Sequence, residues 1–337
     1  MFEWYKWHVK LPEESLEVCD ENLSLFFKIM FERQTIWKKR FLDKLPAPWT
    51  KNKILAESKF TNVYRELDNH SQWQIKSILL DDSLTMKNLI WKLMVFRYFN
   101  NPATFYFAAQ TRGWKSGIPN WEDYNEEEFV ELIADIRKCN ANPFTNAYLI
   151  NSMAAPGQTR DYCYTRVVIP TLHKNINNIL KVVLTAKTPE EIIKFLNTLP
   201  GVADFIAHEF YQDFTYISRY TNRKFMKFDQ DDYTNVGPGA SVGIRLIFPN
   251  LKGKEQKIGI YKLRDMAETE LKKFGNMPYL YWDKEWGEYY VNDECNITLH
   301  QIEMWLCEFQ KYWKMTIGEG KQRSKFVPKS NSIITKK

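Results

Sequence analysis

The chain has 337 residues, enough for one large domain or two small ones, and a 44% hydrophobic content with twelve tryptophans supplies ample apolar mass for a core. Forty-seven lysines and arginines face 41 acidic residues, a net +6 that allows a basic face for nucleic acid without demanding one. No run of about twenty apolar residues occurs, which argues against a helical membrane span, and the charged start Met1-Phe2-Glu3-Trp4-Tyr5-Lys6 lacks the apolar stretch of a signal peptide.

Cys19, Cys139, Cys163, Cys295 and Cys307 show no C-x-x-C spacing, so neither a zinc ribbon nor an iron–sulfur cluster is suggested, and free thiols in a reducing cytosol are the simplest account. The five histidines are scattered without metal-ligand spacing. The Walker pattern G-x-x-x-x-G-K-[ST] is missing, and Gly318-Glu319-Gly320-Lys321 sits in a polar stretch, so P-loop ATP chemistry is not encoded in this sequence.

In chain order, residues 17–43 predict a long helix, with Leu23, Phe26, Phe27, Met30, Ile36 and Trp37 at helical spacing. Pro46-Ala47-Pro48-Trp49 ends it. Further helices are expected at about 58–80, 84–99, 125–139 and 175–186, then a pair over 189–213. Residues 241–295 hold short β-like runs such as Tyr279-Leu280-Tyr281-Trp282, and Thr298-Leu299-His300-Gln301 reads as a capping box opening a last helix to about 314. The expected fold is mainly α with a few short strands: a single domain over 1–317, or two lobes near 1–150 and 151–317, and a basic disordered tail over 318–337.

The pair over 189–213 carries the most specific signal. Thr188-Pro189-Glu190-Glu191 suits a helix start with a capping box. Leu199-Pro200-Gly201-Val202-Ala203 then reads as a helix-hairpin-helix turn, with Ala207 at a close-packing position. Proline stops the first helix and glycine accepts a positive φ. The second helix then begins with unpaired amides and a positive dipole end, which suit a DNA phosphate. An ordinary helix corner would use the same residues. Ala203 stands where a second glycine is usual, and no lysine stands near Phe205, so a Schiff-base lyase is not expected. A monovalent ion held by hairpin carbonyls would leave no side-chain signature.

Other clusters could carry chemistry. Arg33, Trp37 and Arg40 fall near one helix face, suited to phosphate contact and base stacking or simply to a basic rim. Asn62, Tyr64, Arg65 and Asp68 crowd one segment, with Arg65 and Asp68 at ion-pair spacing if helical. Asp213, Asp231 and Asp232 follow the hairpin as candidate acid–base or charge-stabilising groups, or as solvated carboxylates and caps. Asp232 would cap the next helix, and the Gly237-Pro238-Gly239 turn offers amides for an anion nest.

Several blocks occur together: Glu32-Arg33-Gln34-x-Ile36-Trp37-x-x-Arg40, Ala47-Pro48-Trp49-Thr50, the 59–68 segment, Phe144-Thr145-Asn146-Ala147-Tyr148, the Gly201 hairpin with Asp213 and Tyr216, Val236-Gly237-Pro238-Gly239-Ala240 with Gly243, and Leu306-Cys307-Glu308-Phe309-x-Lys311-Tyr312. Over residues 20–315 the chain resembles the α-glutamyl/putrescinyl thymine pyrophosphorylase-like family, also described as the helical domain of 5-hydroxymethyluracil DNA kinase.

The resemblance implies a divergent helix-hairpin-helix DNA glycosylase fold, phage-encoded and acting in the bacterial cytoplasm. The implied chemistry is hypermodification of flipped 5-hydroxymethyluracil-derived thymine bases in double-stranded DNA. An amine or amino-acid donor would displace an activated group, making the chain a transferase. The alternatives are a monofunctional glycosylase and a non-catalytic DNA-binding module partnering a separate P-loop kinase. For transfer, Asp231 or Asp232 with Asp213 would act as base or orienting groups. Arg33, Arg40 and Arg65 would bind phosphate, and Asn62, Tyr64 and Asp68 would line the base pocket. Gly237 and Gly239 would bind substrate, and Leu199, Gly201, Val202 and Ala203 would face DNA.

Overall fold

The computed structural model describes residues 16–145, 158–320 and 326. The expected tail beyond 320, apart from Phe326, the Asn146-Ala147-Tyr148 part of one block and the Met1–Lys6 start lie outside the described residues. The elements run α1 (Asp20–Trp37), α2 (Lys53–Glu57), α3 (Asn69–Gln74), α4 (Met86–Phe99), α5 (Pro102–Arg112), α6 (Glu126–Lys138), α7 (Arg160–Tyr162), α8 (Ile169–Thr185), α9 (Pro189–Leu196), α10 (Asp204–Tyr220), α11 (Pro238–Ile247), α12 (Gln256–Lys272), β1 (Tyr279–Asp283), β2 (Glu288–Asn292) and α13 (Leu299–Thr316). The two strands form one small hairpin sheet, so the fold is mainly α with short strands, as expected.

The chain divides into two compact units. One takes the described residues of Met1–Val63, Val236–Tyr281 and Val291–Lys337, the other those of Tyr64–Asn235 and Trp282–Tyr290. This division is interleaved in sequence and differs from a split near residue 150.

In the first unit, α1 buries Leu23, Phe26, Phe27 and Met30, the periodic face visible in the sequence. A π-helical turn, Lys38–Leu42, prolongs it before the prolines. The helix α11 packs closely on α13. A side chain added at Gly243 would stand 2.4 Å from the Leu306 carbonyl oxygen, and one at Gly239 would meet the Cys307 sulfur. Thr298 and Gln301 form the expected capping box of α13.

The second unit is built around α4. Its sequence is apolar on every side, and residues 88–99 are all buried, as a helix without a polar face requires. Trp73 stacks on Phe96 with ring centroids 4.6 Å apart, and Tyr98 meets Phe210 of α10 edge-on at 5.1 Å. Thr188 does not complete a capping box at α9: Glu191 instead accepts from the Lys187 N–H at 2.9 Å, one residue earlier. Pro189 does occupy the first turn.

A helix buried on all sides must satisfy its charged residues internally. The Lys92 ammonium donates to the carbonyls of Ile118 and Lys115 and to the Ser116 hydroxyl. Burial pushes its pKa down to about 8. The native protein therefore binds fewer protons than the unfolded chain between pH 8 and the ordinary lysine range, and its stability rises with pH across that window. Urea unfolding should show wild type gaining roughly 2 kcal/mol relative to Lys92→Met between pH 8 and pH 10.4. A pH-independent gap would refute this assignment.

Candidate functional site

Residues of α10 four positions apart share one face, which puts Glu209 and Asp213 side by side toward α4. There Arg97 takes both carboxylates. Its Nε and one terminal nitrogen donate to Asp213 at 2.8 and 2.5 Å, and its other terminal nitrogen lies 3.1 Å from Glu209. Arg65 closes the cluster on Glu209 at 2.7 Å. Arg97 and Glu209 are 3% exposed and Asp213 is 0% exposed, so these are interior charges. Burial pulls the Arg97 pKa down, but Asp213 and Glu209 hold it above its ordinary value. Burial also raises Asp213, against the opposing pull of Arg97. Glu66, fully buried, pairs with Arg219 at 2.9 Å.

This network relocates two expectations. Asp213 grips Arg97 in the interior, the geometry of an anchor rather than of an accessible base. Arg65 gains Glu209 as a partner from 144 positions away, which no local spacing encodes. The 58–80 stretch is not one helix: Arg65–Leu67 is a single 3-10 turn, and Asp68 stands at the start of α3 in an extended conformation. Tyr64 is fully buried.

The turn between α9 and α10 places its glycine at a positive φ, as the sequence led one to expect. Gly201 adopts φ +74°, Leu199 and Val202 are buried beneath the turn, and Ala207 is fully buried at the packing position. Tyr98 donates to the Pro200 carbonyl at 3.3 Å, fixing the turn to α4. Above that base Ala203 and Asp204 are exposed, and Phe205 is 45% exposed. The start of α10 therefore faces outward. Its first-turn acid, Asp204, accepts from Asn197 Nδ2 at 2.7 Å.

Asp231 and Asp232 belong to a tight turn. The Asp229 N–H donates to the Asp232 carboxylate at 2.8 Å, and the Asp231 N–H donates to the Asp229 carboxylate at 2.7 Å. Surrounding chain and the neighbouring Asp229 and Asp231 raise the Asp232 pKa, in that order, against the Asp229 N–H. Asp232 does not cap the following helix. Gly237 is the N-cap of α11, with Pro238 in its first turn, and the Gly237 N–H donates to Glu303 at 3.0 Å. One amide of the expected anion nest is thus taken by a carboxylate, and Gly239 serves close packing on Cys307.

In the first unit, Arg33 donates to Asn62 Oδ1 at 2.7 Å. Arg33 and Arg40 line a cavity of about 130 Å³ with Trp37, Trp49, Thr50 and Phe60 among its walls. The π-helical turn carries Arg40 and Phe41 onto it, and such turns recur at functional positions. The Arg40 guanidinium lies 4.6 Å from the Phe41 ring centre and 5.1 Å from that of Trp49. Among the described residues, no group of three or more His, Cys, Asp or Glu side chains is placed to hold a metal ion.

Residues 20–322 match the family described as the helical domain of 5-hmdU DNA kinase. The chain belongs to that family. It is 26% identical over 299 residues to a protein of Bacillus phage SP10 named 5-hmdU DNA kinase, covering 86% of this chain and 44% of the relative. The chain thus spans less than half of that relative's length. No solved structure matches it.

For this helical domain, sequence reasoning missed Arg97, Glu209, Glu66 and Arg219. An arginine and a lysine inside the otherwise apolar run of α4 were the available signal, because buried charges demand partners.

Proposed function

We propose that this chain is the DNA-recognition part of a 5-hydroxymethyluracil modification system. It grips duplex DNA through the α9–α10 hairpin and presents the modified base to phosphoryl-transfer chemistry supplied by a P-loop kinase. The exposed start of α10 above a buried Leu199–Val202 base carries this reading, since it offers amides and a positive dipole end to a phosphate. The family match supports the substrate.

Asp204 sharpens the test. Its carboxylate stands where phosphate would approach, so Asp204→Asn should tighten duplex binding several-fold at low salt and Asp204→Lys more so. Gly201→Val, forced into a positive φ, should weaken binding at least tenfold. Binding unaffected by all three changes would remove the hairpin from the interface.

A second reading, transfer of an amine or amino acid to the activated 5-methylene, draws support from Asp232. A carboxyl group of raised pKa on an exposed residue suits proton transfer. DNA bearing phosphorylated 5-hydroxymethyluracil, incubated with candidate amines and digested to nucleosides, separates the readings by mass spectrometry. A mass-shifted nucleoside supports transfer, free base indicates a glycosylase, and DNA that is bound but unchanged supports the recognition module.

A further inference from the structure

The 130 Å³ cavity of the first unit has a wall chemistry that selects its occupant. Trp37, Trp49, Phe41 and Phe60 give it flat apolar faces, and Arg33, Arg40, Thr50 and Ser58 give it polar atoms. Phe326 adds a further ring, 6.5 Å from Trp49, and its N–H donates to the Glu57 carbonyl. An engineered cavity of about 150 Å³ takes up benzene, so this volume suits one six-membered ring. Aromatic faces and guanidinium planes stack on nucleobases, and arginine donates to ring carbonyls.

One further observation narrows the choice. The two arginines in the wall oppose a cationic guest, which disfavours a polyamine as occupant.

We propose that this cavity is a receptor for a single pyrimidine base, stacked against Trp49 and held at its carbonyl edge by the cavity's arginines. The proposal rests on the DNA-recognition reading for its biological setting, but its chemistry is independent of the hairpin. A pyrimidine carrying a negative 5-substituent would gain further from the same arginines.

Isothermal titration calorimetry on the full chain tests it, with thymidine 5′-monophosphate, 5-hydroxymethyl-deoxyuridine 5′-monophosphate and deoxyadenosine 5′-monophosphate as probes. Both pyrimidine nucleotides should bind at least tenfold more tightly than the purine. Trp49→Ala and Arg40→Leu should each lower pyrimidine affinity at least tenfold, whereas Trp49→Phe should retain most of it. Circular dichroism melts verify that each variant is folded.

Equal affinity for purine and pyrimidine, or pyrimidine binding that survives both disruptive variants, would overturn the proposal. So would absence of binding by any nucleotide. If the chain binds duplex DNA but no free pyrimidine nucleotide, the cavity assignment fails and the hairpin reading stands. The reverse result leaves the cavity and sinks the hairpin.

Discussion

Replacing Arg97 with methionine is expected to destabilise the second unit by about 3–5 kcal/mol, because Glu209 and Asp213 would be left as interior carboxylates without their shared cation. The wild-type arrangement balances Arg97 and Arg65 against these two acids, with Arg97 and Asp213 in a two-pronged contact. Breaking one partner exposes the full desolvation penalty of the others, whereas removing the whole set does not. The triple variant Arg97→Met, Glu209→Gln, Asp213→Leu should therefore recover a large part of the loss. Urea denaturation measures both. A loss below about 1 kcal/mol for Arg97→Met would mean that water reaches the carboxylates and that the network is not interior. Asp213→Asn provides a functional arm: a purely anchoring Asp213 predicts that DNA binding and any base chemistry fall only in step with stability.

The second large effect belongs to Gly243. Its missing side chain lets α11 approach the backbone of α13, and an added Cβ would lie 2.4 Å from the Leu306 carbonyl oxygen and 3.0 Å from its carbon. Backbone cannot swing aside as a side chain can, so Gly243→Val should separate the helices and cost about 3 kcal/mol or more. Gly239→Ala meets chiefly the Cys307 side chain and should cost less than Gly243→Val. Thermal melts of the two variants give the comparison. If Gly239→Ala proved the more damaging for DNA binding while leaving the melting temperature intact, the substrate-binding expectation for that glycine would regain its footing over packing.

These two cases also mark where the sequence was legible. Local chemistry announced its own structure: the α1 periodicity, the proline stop after it, the Thr298–Gln301 capping box and the Gly201 turn all formed as read. The helix α5 has the same kind of signal, with Asn101 capping, Pro102 in the first turn and Gly113 at the left-handed end, and is absent from the elements expected above. The 58–80 stretch failed for the opposite reason. Its residues favour helix locally, but Tyr64 and Glu66 are fully buried, and the backbone bends through a 3-10 turn that delivers Arg65 to Glu209.

The sequence by itself determined the helical class, the Gly201 turn and the family, because each depends on residues within a few positions or on ordered blocks along the chain. The tertiary structure alone decided which charges are interior, that Gly237 and Gly239 serve the α11–α13 contact, and that Arg33 and Arg40 line one cavity. Periodicity and capping act over one or two turns, whereas ion pairing, close backbone approach and cavity shape are set by partners tens to hundreds of residues away.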